Sequence, residues 1–247
     1  MPFPVMFTTP GEEFSTYVTN TRGWPLGTRL VLQDGRGFRF GENGATALVV
    51  ARLCQAPVPT ADHINQLVNV AGVINDRTMD MAIGGTDVTA DLYYESVAYV
   101  NEGTGAGYLY LIDTHAAFTG ATAQMPLAPG YALQVATTTA SNVSLIRNLY
   151  KAIIVHPSPP TQALVGVAMK PHAASAFGWF QTQGYGPILT DGTIVNGDVV
   201  VPSDTVDGAV EALPGTYTAA NHELPHPFIV QDARLDTEIS LVNIMLE

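Results

Sequence analysis

Apolar residues recur at every second position in short runs along much of the chain, and each run is closed by glycine, proline, asparagine or aspartate. A period of two places successive side chains on opposite faces of a strand. Thr28–Leu32 and Phe38–Phe40 flank the turn Gln33-Asp34-Gly35-Arg36-Gly37 and predict a hairpin. From Thr78 the alternation runs through Met79, Met81 and Ile83 to Gly84-Gly85. Leu92–Val100 and Tyr108–Ile112, separated by Gly103-Thr104-Gly105-Ala106-Gly107, form a second hairpin-like unit. Val165–Met169 reads as a strand, and Glu238–Leu246 as a closing one. Turn signals every ~8–12 residues predict an all-β fold of short-stranded sandwich or barrel modules with little helix.

Three stretches are ambiguous. Ala45–Leu53 fits helix or strand, and His63–Val73 leans slightly to helix. In Ser144–Val155, Leu145, Leu149 and Ile153 stand at helical spacing, but the β-branched second half favours strand.

The chain is organised around Ala173–Gly186, which holds Phe177, Trp179, Phe180 and Tyr185 between glycines. Aromatic rings bury ~150–250 Å² each, so Trp179 is expected in a core. Asp191-Gly192 and Asn196-Gly197 follow, and both dipeptides favour type I′ hairpin turns. The expected result is a buried meander. A weak internal echo, aromatic strand, Gly-x-Gly break, apolar strand, links Val88–Asp113 to Pro171–Thr193. Together with the proline-rich stretch 156–162, it predicts three parts: an extended arm (1–25, four prolines), a first β module (26–158) and a second (159–247).

Composition changes this picture in one respect. Charged residues make up only 13% of the 247 residues, about half the usual share, which favours a surface covered by partners. The net charge of −12, with only Lys151 and Lys170 as lysines, argues against nucleic-acid binding. No run reaches the ~18 apolar residues of a membrane span, and the N-terminus lacks the features of a signal peptide.

Chemistry is sparse. His222-Glu223-Leu224-Pro225-His226 matches the H-E-x-x-H zinc signature by letter, but Pro225 would break the helix that must carry both histidines. Gly103–Gly107 lacks the following helix of a dinucleotide loop. The lone Cys54 reads as a small buried residue. His63, His115, His156 and His172 have no ligand spacing, and Asn142-Val143-Ser144 is a sequon without a secretory context. No catalytic, cofactor-binding or metal-binding residue is predicted. Two of the 22 carboxylates facing one cleft would keep a carbohydrate-active reading open.

The ordered set GWPLGTRLVLQDGRGFRF, VTADLYYESVAYVNEGTGAGYLYLI and VGVAMKPHAASAFGWFQTQGYGPILTDGTIVNGDVVVPS, with the apolar terminal strand, resembles structural proteins of tailed bacteriophages. It is most similar to small β-rich head proteins that decorate or cement capsids, common among marine phages. The likeness spans most of residues 23–247. It implies a non-enzymatic virion component on the capsid surface, assembled in the host cytoplasm. The implied partners are the major capsid protein and further copies of itself, a trimer being one form. Tail, neck and fibre-base proteins share such modules and remain the alternative.

Residues 1–54 carry Arg22, Arg29, Arg36, Arg39 and Arg52 against Glu12, Glu13, Asp34 and Glu42, whereas five basic and eighteen acidic residues follow. This asymmetry predicts that the arm and the Arg29–Arg39 hairpin present arginines to carboxylates on a neighbour or on the shell, or merely solvate an exposed hairpin.

Overall fold

The computed structural model describes residues 5–7, 11–213 and 228–247. The fold is all-β and barrel-like, as the alternation predicts. In order, the strands are β1 (Val5–Phe7), β2 (Thr16–Tyr17), β3 (Arg29–Val31), β4 (Gly37–Glu42), β5 (Arg52–Gln55) and β6 (Gln66–Val70). There follow β7 (Thr78–Ala82), β8 (Val97–Glu102), β9 (Leu109–Leu111), β10 (Thr122–Pro126), β11 (Asn142–Ile146) and β12 (Ile154–Val155). The last six are β13 (Leu164–Ala168), β14 (Phe177–Asp191), β15 (Val199–Pro202), β16 (Ala209–Ala212), β17 (Phe228–Val230) and β18 (Ile239–Met245). Helix is confined, among the described residues, to single 3-10 turns at Glu12–Phe14 and Ala61–His63.

The chain divides into two compact units, and neither boundary is the expected 158/159. Residues 58–148 form one unit, inserted into another made of residues 1–57 and 149–247. The cause lies in β5 and β12, on either side of the insert, which pair with each other through Gln55↔Ile154 and Cys54↔Val155. The proline-rich stretch 156–162 is therefore no linker. His156 is buried, the Thr161 N–H donates to Gln55 Oε1 at 2.9 Å, and Ser158 donates to Asp207.

The inserted unit is a six-stranded sheet in the order β10-β7-β6-β11-β8-β9, antiparallel throughout. A bridge between Ile112 and Leu127, with Asp113 N–H bonded to the Pro126 carbonyl and Ala128 N–H to that of Leu111, joins the two outer strands. Closure removes both sheet edges. Inside lie Val68, Met79, Met81, Val100, Tyr110, Met125 and Leu145. The expected helical lean of His63–Val73 is corrected here: Gln66–Val70 is strand, because Val68 is needed on the barrel's inner face. The Gly103–Gly107 loop is a turn between β8 and β9, and all three of its glycines have positive φ.

The outer unit is built on β14, which belongs to two rings. One runs β14-β16-β15-β17-β18 and returns to β14. The other runs β4-β14-β13-β5-β12 and closes where Ile153 bridges Asn43 at the end of β4. The expected break at Gly184–Gly186 is absent, since β14 continues through it for 15 residues. The echo with the β8–β9 hairpin is therefore a likeness of letters only. The type I′ hairpins are also absent. Asp191 ends β14, positive φ occurs at Gly192 and Gly197 alone, and β16 lies between β14 and β15. Ala45–Leu53 is mostly turn, with strand from Arg52, and Ser144–Val155 holds the end of β11 and all of β12.

The described part of the arm is not free. Phe177 and Gly178 pair with Tyr17 and Thr16, and the Lys170 ammonium donates to the Phe14 carbonyl at 3.0 Å. Tyr17 and Trp24 join Phe40, Phe177 and Trp179 in one aromatic cluster, with Trp24 and Phe40 centred 5.3 and 5.2 Å from Trp179. Burying these rings offsets the entropy of ordering a proline-rich segment.

Candidate functional site

The hairpin arginines are engaged within the chain. Arg39 grips the Glu247 carboxylate with two hydrogen bonds, Nε to Oε1 at 2.5 Å and Nη2 to Oε2 at 3.0 Å, and donates to the Gly27 carbonyl. Burial opposes the charge of Arg39, yet its hydrogen bond to Glu247 and the attraction between them hold its pKa above the usual value. Arg29 lies 3.5 Å from the same carboxylate and donates to Gln183. Arg36 bonds Asp34 at 2.7 Å and buried Glu13 at 3.2 Å, and the Arg36 backbone N–H, with its guanidinium second, holds the Asp34 carboxyl below its ordinary range. Arg22 lies over Tyr17 and Trp24, and Arg52 donates to the Asp207 carbonyl. Arg29, Arg36 and Arg39 thus have acidic partners within the chain, which neither reading of the hairpin named. Each internal bond takes up part of the five-donor capacity of a guanidinium.

The buried cysteine and histidines are hydrogen-bonded within the chain in all but one case. Burial pushes the Cys54 thiol up to about 12, so it carries no thiolate nucleophile. His63 lies between the Tyr93 hydroxyl and the Thr86 carbonyl, His115 takes the Tyr93 N–H, and His156 faces the Pro157 and Ala209 carbonyls. His172 differs: it is buried, its ring is stacked on Phe180 at 4.9 Å, and neither nitrogen has a hydrogen-bond partner. Among the described residues no three or more His, Cys, Asp or Glu side chains converge on a point. His222–His226 lies outside the described residues.

Ser203 and Thr205 donate to the Asp191 carboxylate at 2.5 and 2.6 Å, and the Ser203 hydroxyl accepts the Thr205 and Val206 N–H groups. This cluster ties the turn after β15 to the end of β14. Nearby Glu211 is raised by burial and by Asp204 and Asp191.

The feature that departs from an ordinary surface is the outer face of the β14–β18 ring. A bulge between Gln181 and Gln183 and Gly184, with φ near 85°, shift the phase of β14. Before the shift Phe177 and Trp179 face the aromatic core; after it Gly186 and Ile188 face inward and Tyr185 and Pro187 outward. Gly184 is required at that point: its backbone is left-handed, and a Cβ would meet Arg36 Cα at 3.2 Å. On β18 Ser240, Val242 and Ile244 are buried while Ile239, Leu241, Asn243 and Met245 face outward. Register sets Tyr185 beside Asn243, Pro187 beside Leu241 and Leu189 beside Ile239, and Ile229 of β17 continues the row. Tyr185 is 56% exposed, Ile239 44% and Leu241 42%. A shallow groove of about 300 Å³, lined by Asp34, Gly35, Arg36, Met169, Gly184, Tyr185 and Pro187, borders this row.

An outer barrel face in water ordinarily carries polar side chains, whereas this row is apolar apart from Asn243. Tyr185 was expected in the buried aromatic cluster, and its place beyond the Gly184 shift turns it outward instead. Glu238–Leu246 did hold a signal: apolar residues fall on both faces of that strand.

No family model matches the chain, and neither curated proteins nor solved structures yield a match.

Proposed function

We propose that this chain is a non-enzymatic virion protein that decorates and stabilises the capsid lattice of a tailed phage, with the major capsid protein and its own copies as partners. The observation that carries the reading is the uncharged outer row of β14, β18 and β17, from Tyr185 to Ile239, apolar apart from Asn243. Such a row suits wide, shape-matched adhesion between proteins. The sequence likeness to head-decoration proteins supplies the choice of partner. A carbohydrate-cleaving reading draws less support, since the groove holds one carboxylate, Asp34, already bound to Arg36. Tail, neck or fibre-base roles use the same kind of face, and copies per particle, counted by mass spectrometry, separate them from a decoration role.

The test is co-sedimentation with undecorated capsid shells. Tyr185→Arg with Leu241→Arg is expected to weaken binding at least tenfold while leaving the circular dichroism unchanged. Deletion of residues 1–23 and replacement of Arg29, Arg36 and Arg39 by Ala serve as the competing pair. Tight binding by the face variant, with loss in either of the other two, would move attachment to the arm and hairpin. Failure of the wild type to bind any shell would end the decoration reading.

A further inference from the structure

We propose that His172 is an acid-operated latch that holds residues 11–17 against β14 at neutral pH and lets them go on acidification. The proposal is independent of the decoration role. His172 sits where that segment docks. Its ring packs so closely on Gly178 that a Cβ there would lie 2.2 Å from His172 Cε1, and the same point is 3.3 Å from the Ser15 carbonyl oxygen. Gly178 is one of the two β14 residues that pair with β2. The ring is also stacked on Phe180, and the His172 backbone pairs with Leu48.

A neutral imidazole tolerates this apolar slot at the cost of unmade hydrogen bonds. An imidazolium there adds a charge and a further N–H donor with no acceptor, which is far more costly. The charged groups on the surrounding elements do not relieve it. Lys170, on its own segment, repels a second cation while its ammonium donates to the Phe14 carbonyl. On the docked segment, Glu12 accepts from the Tyr17 hydroxyl and the Trp179 indole, and Glu13 from Arg36. On β4, Arg39 is bound to Glu247, and the Glu42 carboxyl is raised by burial with Lys151 as its charged neighbour.

Burial first, and Lys170 second, lower the ring's pKa from 6.5 to about 4. Because the docked state has the lower pKa, it binds fewer protons than a state with the ring in water. Docking is fully stable above pH 6.5 and loses stability as pH falls toward 4. The ring leaves its slot when protonated, and the β2–β14 pairing loses the surface on which it rests.

Hydrogen exchange of the peptide spanning residues 11–17, corrected for the intrinsic pH dependence of amide exchange, tests this. Protection is expected to fall about tenfold per pH unit between 6.5 and 4, to a limit of ~300-fold, while β14 core amides stay protected. His172→Leu is expected to match wild type at pH 7.5 and to show no such fall. Parallel pH profiles for the two proteins, or loss of segment and core together, would overturn the latch. If His172→Leu does not fold, an NMR titration of the wild-type imidazole decides. A midpoint near 4 that coincides with segment release supports the proposal, and a midpoint near 6.5 with the segment still protected refutes it.

Discussion

Trp179 is the residue on which most packing converges. It is fully buried, its indole N–H reaches Glu12 at 3.4 Å, and its ring meets Trp24 and Phe40. Two of those partners come from the arm, so one side chain couples the N-terminal segment to the central strand. Trp179→Ala removes a large ring from a site that cannot collapse without moving β4. The expected loss is about 3–5 kcal/mol in urea denaturation. A loss under about 1 kcal/mol would show that the cluster repacks freely. Phe180, one position on, points to the opposite face and packs with Cys54, Ile153 and Ala168. Neighbours in sequence thus serve different cores, which follows from the period of two.

Among elements, β14 decides the architecture of the outer unit because its two halves have different partners, β4 for Phe177–Gln183 and β18 for Gln183–Leu189. The handover is pinned from outside by Arg39 of β4 gripping Glu247, just beyond β18. The two side chains are 17% and 21% exposed, and the contact is bidentate, so it should exceed an ordinary surface pair. A double-mutant cycle with Arg39→Ala and Glu247→Gln is expected to give a coupling of about 1 kcal/mol that shrinks as salt rises. Zero coupling at low salt would mean that backbone pairing alone aligns the halves.

In the whole molecule, the nested arrangement predicts separable folding. Arg147 donates to the Val58 carbonyl at 2.9 Å, so the chain enters and leaves the inserted unit at neighbouring points. Each unit has its own closed sheet and its own core cluster. Residues 58–148 produced alone are expected to unfold in one cooperative transition. The outer unit, with the insert replaced by a short Gly-Ser bridge, should keep its tryptophan fluorescence. Both tryptophans, Trp24 and Trp179, lie in the outer unit, so fluorescence reports that unit alone, while circular dichroism reports both. Coincident transitions in the intact chain by the two probes would show the units to be coupled instead.

What the sequence determines by itself is local. Alternation and turn chemistry identify the β3–β4 hairpin, the strand from Thr78, the β8–β9 turn and the closing strand, because strand preference and left-handed glycines act within a few residues. Burial of Trp179 and Cys54 was legible for the same reason: their types and immediate neighbours carry it. Only the tertiary structure decides which strands meet. Arg39 and Glu247 stand 208 residues apart, and no periodicity near either one announces the other. The insertion of residues 58–148, the closure of three rings, and the internal pairing of the hairpin arginines all depend on such contacts. So does the outward turn of Tyr185, since a one-residue phase shift at Gly184 reverses every side chain after it. Letters set the period of a strand, and the partner across the ladder sets which face is buried.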